Sequence, residues 1–238
     1  MIKAITSKNN ERVKFAYSLK ESKNRKKYQM FLAETFKSLK MALNNGVVVE
    51  VFTLSYLDLP EEIPQNLVSE DVLKKLSSNV NPEGVVFIAR MQEVEVKDPY
   101  KVLYLDNISD PGNMGTLIRT ALAFSYDLVV TSETCVSIYN EKVINSSKGA
   151  IFEIPVKQGK LSEYKSSHEI LVTNLSKTAV DFASIEVPNK FVLVLGNESH
   201  GVSKENIKLA SKEIIIPIKN IDSLNVAVAG GILMNKIH

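Results

Sequence analysis

Three polar stretches, each following an apolar run, hold the residues best suited to chemistry: "DNISDPGNMGTLIRTALAF" from Asp106, "VLVLGNESHGVS" from Val192 and "IPIKNIDSLNVAVAGGIL" from Ile216. In the first, Asp110-Pro111-Gly112 reads as a turn, and Gly112 and Gly115 let another group approach the backbone. Arg119 is expected near the amino end of the following helix, facing that loop, where its fork of donors suits phosphate. A capped helix carrying a surface Arg is the plainer alternative. In the second, Gly196, Asn197 and Glu198 close a strand, and Gly201 follows. A nucleotide-triphosphate loop would need Lys and Ser/Thr after the second Gly, and Val202 and Ser203 stand there instead. Glu198 is then either a structural cap on a neighbouring loop or a site residue. In the third, Asp222, Ser223 and Asn225 crowd three capping residues into four positions, where a helix needs one. Pro217 marks the end or edge of a strand, which sends Ile216 and Ile218 to a loop-lined pocket.

Together the stretches describe a site of backbone amides, apolar side chains, two Asn, one Ser, one Glu and one Arg. No metal-ligand cluster and no G-x-G-x-x-G fingerprint appears. Ser223 lacks the G-x-S-x-G setting of a hydrolase nucleophile, and only His168, His200 and His238 could serve it. His200 reads as a lone exposed loop residue.

The elements that must carry these stretches alternate. Helix "NERVKFAYSLKE", a basic turn, strand "QMFLAE", helix "FKSLKMALNNG", strand "VVVEVFTLS", helix "SEDVLKKLSS" and strand "VVFIAR" form a small α/β layer. The polar "MQEVEVKDPY" is the linker candidate, dividing the chain into domains 1–96 and 97–238. The second part reads as strand "KVLYLDNI", helix "TLIRTALAFS", strand "DLVVTSE", helix "NEKVINSSKGAI", strands "EILVTNL" and "KFVLVLGNE", helix "KENIKLAS", strand "EIIIPI" and helix "LNVAVAGGILMNKI". Strands apolar on both faces predict a doubly wound parallel sheet, with ligands at its carboxyl edge.

Composition narrows the partners. Residues 1–40 hold eleven Lys or Arg against three Glu, a balance of +8, which leaves −6 on the rest of a chain of net charge +2. Such asymmetry is the footprint of contact with a polyanion, although a solvated basic helix face has the same composition. Tyr28 beside Lys26 and Lys27 favours nucleic acid. The single Cys135 excludes an intrachain disulfide. With no apolar run of membrane length and no signal-like start, the expected setting is cytoplasmic, without a membrane partner; the expected nucleic acid is RNA and not DNA.

At these residues the chain resembles the SpoU (TrmH) family of SPOUT-class RNA methyltransferases. The three stretches match its three motifs in order, "SSKGAIFEIPV" is similar to a family segment, and the likeness covers residues 102–236. The resemblance implies an α/β fold with a deep trefoil knot, S-adenosylmethionine as cofactor, an active site formed across a homodimer, and methyl transfer to a ribose 2′-oxygen of RNA. It implies cofactor contacts at Gly196, Ile216 and Leu224, and Thr173, Asn174, Leu195, Asn197 and Ile218 are expected to line the same pocket. It implies a catalytic set of Asn113, Arg119, Glu198, Ser223 and Asn225, and no metal. The family proposal makes Arg119 the base, yet a guanidinium stays protonated. A phosphate clamp that steadies developing alkoxide charge, oriented by Asn113 and Glu198, is the alternative.

The amino-terminal part is similar to the family's L30e-like substrate-binding domain, which implies RNA contacts at Arg12, Lys14, Arg25, Lys26 and Lys27. That domain favours structured large-subunit ribosomal RNA. A tRNA 2′-O-methyltransferase and a non-catalytic ribosome-associated RNA-binding protein remain the alternatives. One departure is "AET", where Thr35 replaces the glycine that would make a tight turn.

Overall fold

The computed structural model describes residues 4–92 and 94–238. They form two compact units, Met1–Glu93 with Tyr139–Phe152, and Val94–Ile138 with Glu153–His238. Residues 139–152, although flanked in sequence by strands of the second unit, therefore pack within the first.

The first unit opens with α1 (Glu11–Ser18) and α2 (Ser22–Tyr28). Asn10 caps α1 by accepting the Arg12 amide at 3.0 Å, and Val13, Ala16 and Leu19 bury one stripe of it. The expected basic turn is instead the helix α2. Its Arg25 is only 7% exposed and donates to the carbonyls of Leu19 (3.2 Å) and Lys20 (2.6 Å) at the end of α1. The guanidinium thus closes the α1–α2 corner and is withdrawn from the basic surface predicted for it; burial lowers its pKa, with Glu141 opposing.

Next come β1 (Met30–Glu34), α3 (Phe36–Asn44), β2 (Val48–Thr53), β3 (Gln65–Leu67), α4 (Glu70–Leu76) and β4 (Val85–Arg90). They build a four-stranded sheet of order β1-β4-β2-β3, in which β4 pairs antiparallel with both neighbours. β3 is too short for the alternation that reveals a strand.

Between β1 and α3 the chain makes its tight turn without glycine. Thr35 sits at φ 81°, ψ 142°, a region costly for a β-branched residue, and its hydroxyl accepts the Ser38 amide at 3.2 Å. Beside it the buried carboxylate of Glu34 accepts the Ser77 hydroxyl, the Ser78 amide (3.2 Å) and hydroxyl (2.6 Å), and the Asn145 amide (3.0 Å). Burial alone would raise its pKa; these donors outweigh it and hold the carboxyl below its ordinary range. A lowered native pKa stabilises the fold above the unfolded value, so this contribution fades as pH falls through the carboxylate range.

The second unit carries β5 (Lys101–Leu105), α5 (Pro111–Ala123) and β6 (Leu128–Thr131). The chain then visits the first unit as α6 (Glu141–Ser147) and a short 3-10 turn, where Phe152 stacks on Phe31 at 5.9 Å. There Gly149, at φ 91°, lies so close to α3 that a Cβ would stand 3.3 Å from the Ser38 Cα. The second unit resumes with β7 (Val156–Gln158), β8 (Glu169–Thr173), β9 (Val180–Asp181), β10 (Phe191–Leu195), α7 (Lys204–Ile207), β11 (Lys212–Ile215) and α8 (Val226–Lys236).

Seven parallel strands run in the order β7-β6-β5-β10-β8-β11-β9, with Leu103 opposite Leu193 and Leu105 opposite Leu195 at the buried centre. The apolar reading of "FVLVLG" agrees with its complete burial. "EIIIPI" is less buried than expected: β11 lies beside the two-residue edge strand β9, and only its Ile214 is fully covered.

One boundary moves in the first polar stretch. The loop expected at 109–115 is largely helix: Asp110 is the N-cap, accepting the Asn113 amide at 2.7 Å, and Pro111 opens α5. Arg119 is consequently the ninth of thirteen helical residues rather than near the amino end.

Replacing Thr35 with Gly should raise the stability of the first unit by about 1 kcal/mol. Relief of ~1–3 kcal/mol of backbone strain outweighs a few tenths lost at the cap. A urea titration showing a lower midpoint for the variant would mean that the hydroxyl matters more than the strain.

Candidate functional site

The carboxyl ends of β8, β10 and β11 and the start of α8 enclose a cavity of about 440 Å³, within the ~300–1,000 Å³ range of small-molecule sites. All eight positions predicted for a cofactor line it: Thr173, Asn174, Leu195, Gly196, Asn197, Ile216, Ile218 and Leu224. Glu198, Ser223 and His200 line it as well.

Each wall is held by short local geometry. The Thr173 hydroxyl donates to the Val194 carbonyl at 3.0 Å, and the Asn174 amide to Glu213 at 2.9 Å. β10 gives way to Gly196, where a Cβ would stand under 3.0 Å from the Gly201 carbonyl carbon and the Val202 nitrogen. Only glycine lets the two backbones pass. The loop then closes on itself, Asn197 and Gly201 exchanging backbone hydrogen bonds of 2.9 Å. The Asn197 carbonyl side-chain oxygen accepts the amides of Ser199 (2.9 Å) and His200 (3.1 Å).

The opposite wall contrasts with this. Residues 218–224 make no hydrogen bond among the described residues, so the backbone amides of this strap remain available to a ligand.

At the rim, three of the predicted catalytic residues form a chain. Asn225 donates its side-chain amide to Asn113 at 3.0 Å, and Asn113 donates to the Glu198 carboxylate at 2.9 Å. Asn225 is also the cap of α8, accepting the amides of Ala227 (2.9 Å) and Val228 (3.3 Å). Ser223 is exposed beside the cavity and caps nothing.

Arg119 is not brought in. It is exposed, lies outside the cavity lining and has no hydrogen bond or ion pair with another described side chain. Six residues after Asn113, it points roughly 120° away around α5. Within one chain Asn113 and Glu198 were expected to orient both Arg119 and the opposing loop, and they meet only the loop: the Asn113 amide is spent on Glu198 and its oxygen on Asn225.

Sequence reasoning missed Asp106, at the carboxyl end of β5 and 2% exposed. One carboxylate oxygen accepts the Ser203 amide at 2.8 Å and the other the Asn107 side chain at 3.3 Å. Asn107, at φ 58°, takes the Asn197 side-chain amide on its carbonyl at 2.9 Å. An acid ending the apolar run "KVLYLD" was the available signal. It pins the far end of the 196–203 loop as Asn107 pins the near end.

An open parallel sheet whose strand ends enclose an apolar cavity, with unspent amides on one wall and carboxamides and a carboxylate at the rim, defines a domain that binds an organic cofactor. Residues 100–235 match the model of the SpoU rRNA methylase family, and residues 10–86 the MRM3-like substrate-binding domain; the chain belongs to the SpoU rRNA methylase family. It is 30% identical, over 98% of both chains, to the 23S rRNA (guanosine(2553)-2′-O)-methyltransferase RlmP of Bacillus subtilis. It is 33% identical to the tRNA (guanosine(18)-2′-O)-methyltransferase of Aquifex aeolicus, over 62% of this chain and 73% of that one. The crystal structure of an AdoMet-bound rRNA methyltransferase from Sinorhizobium meliloti superposes with a TM-score of 0.86 at 26% identity, covering 99% of this chain and 97% of that one.

Asp106→Ala should leave the Ser203 amide unpaired and cost about 1–3 kcal/mol, with faster amide exchange confined to residues 197–203. Asp106→Asn, which keeps an acceptor, should recover most of the loss. Unchanged exchange in the Ala variant would show that the loop holds without this carboxylate.

Proposed function

We propose that this S-adenosylmethionine-dependent RNA 2′-O-methyltransferase acts on large-subunit ribosomal RNA, as a homodimer. The carrying observation is the cavity at the strand ends, bordered by the Asn225–Asn113–Glu198 chain. Ribosomal RNA is favoured over tRNA because the likeness to RlmP runs the length of the chain, whereas that to the tRNA enzyme covers 62% of it.

The residues present fit the cofactor. The apolar wall of Leu195, Ile216, Ile218 and Leu224 suits a flat heteroaromatic ring, and the free amides of 218–224 suit its polar groups. When bound, the cofactor supplies an electrophilic methyl group on a sulfonium. The chain must hold the ribose oxygen in line with it and ease departure of the hydroxyl proton. Glu198, fixed by Asn113, and the exposed Ser223 offer an acceptor and a hydroxyl for the ribose edge.

Arg119 contributes from outside its own cavity. In the proposed dimer it serves the cavity of the second copy, gripping a substrate phosphate and steadying alkoxide charge as the proton leaves. Support for a second copy comes from α8, where Val228 and Ile232, exposed by 54% and 37%, stand on an outward face with Gly231 between them. The knot implied by the family resemblance belongs to the same reading: Gly196 lets β10 pass against the loop of residues 201–202.

Mapping of 2′-O-methylated positions in ribosomal RNA and tRNA, with and without the protein, should reveal one added mark in the large-subunit RNA; a mark on tRNA alone would refute the substrate assignment. Arg119→Lys keeps the charge and loses the fork. It should lower kcat roughly ten- to hundred-fold while calorimetry shows unchanged cofactor affinity, and near-full activity would remove Arg119 from the reaction.

A further inference from the structure

We infer that the exposed ridge of α1 in the first unit is a seat for unpaired RNA, with Tyr17 and Tyr28 as base-stacking platforms on its two flanks. The inference rests on the reading that the substrate is RNA, and adds which form of RNA this surface selects.

The arginines of the basic stretch do not define it. Arg12 pairs with Glu50 at 2.6 Å, and Arg25 is buried on the carbonyls of Leu19 and Lys20. The Arg25 fork is therefore closed to RNA, and Arg12 gives one of its exposed donors to Glu50. Exposed Lys14, Lys23, Lys26 and Lys27 remain, point charges that attract any phosphate backbone without choosing among bases.

Selection falls to the two aromatic rings. Tyr17 and Tyr28 are 45% and 39% exposed, and neither phenol hydroxyl has a hydrogen-bond partner among the described residues. Each ring is nevertheless held. Lys75 and Lys20 place their ammonium groups 5.1 and 5.6 Å from the Tyr17 centroid. They are anchored in turn, Lys75 on the Lys8 carbonyl (2.9 Å) and Lys20 on the Ser77 carbonyl (3.0 Å) and Glu141 (3.7 Å). Tyr28 meets Phe15 edge-on at 5.1 Å, with the Lys27 ammonium 4.9 Å from its centroid.

Helical geometry sets Tyr17 and Phe15 roughly 160° apart around α1, with Lys14 and Ser18 on the crest between them. Tyr28, packed on Phe15, extends the second flank. A chain of nucleotides crossing the ridge meets a ring, a cation and a ring. A duplex keeps its base faces stacked inside and can engage only the cations, whereas an unpaired strand can lay bases on both rings.

Fluorescence anisotropy on the full-length protein tests this, using a labelled oligouridylate of about ten nucleotides and an RNA duplex of equal charge. Single-strand binding should exceed duplex binding. Tyr17→Ala and Tyr28→Ala should each weaken it roughly ten-fold without changing its salt dependence, and Tyr17→Phe and Tyr28→Phe should retain it. Lys14→Gln should lower the salt slope by about one instead. Equal affinity for duplex and single strand, or wild-type binding by the Ala variants, overturns the inference. Methyl transfer to ribosomal RNA by the wild-type protein is scored separately. If it occurs and the Ala variants keep the wild-type KM, the ridge assignment fails and the enzymatic reading stands; if it never occurs, the enzymatic reading fails on its own evidence.

Discussion

The site depends on one close approach: the backbone at Gly196 passes the backbone at Gly201 and Val202 with no room for a single carbon between them. That contact folds the end of β10 back on itself, so that Asn197 bonds Gly201 and Glu198 is presented at the rim. Removing the space removes the loop, and with the loop one wall of the cavity. Asp106 and Asn107 hold the two ends of the same loop from the neighbouring strand. The central pair β5 and β10 thus provides both the rigid floor and the restraints of the site.

The opposite wall works by another principle. Residues 218–224 spend no hydrogen bond on the described chain, while Asn225 beyond them is firmly used. Its one side chain caps α8 and reaches Asn113, 112 positions away in sequence. A stable helix start and a polar rim are therefore the same interaction. The strap before it is left free to shape itself to a ligand, and Arg119 faces away on α5, outside the cavity.

Much of this was legible in the residues. The apolar runs "KVLYLD" and "FVLVLG" announced the central strands, and their polar sequels announced the site, because burial on both faces leaves no alternation to obscure. The eight positions expected for a cofactor came with the family resemblance, and the structure gathers them around one cavity. Reading failed where a local signal competed with a distant one. "DPG" signals a turn, yet Pro at the first helical position and Asp as cap serve a helix equally well, and the packing of Met114, Leu117 and Ile118 decided for the helix. The "NRKKY" run reads as a solvated turn because nothing local shows that Arg25 will bury its charge on carbonyls. β3, β7 and β9, two or three residues each, carry too few positions for any periodicity.

The sequence by itself determined the classes of element, the parallel character of the larger sheet and the family to which the motifs belong, since these rest on residue type and spacing along one segment. Tertiary structure decided the rest: that residues 139–152 pack with the first unit, that Thr35 makes a turn suited to glycine, that Arg25 is buried on carbonyls while the hydroxyls of Tyr17 and Tyr28 have no partner among the described residues, and that within one chain Asn113 meets Glu198 and not Arg119. Each is an interaction between segments tens of residues apart, and its outcome is set by which groups compete for the same partner once the chain has closed on itself.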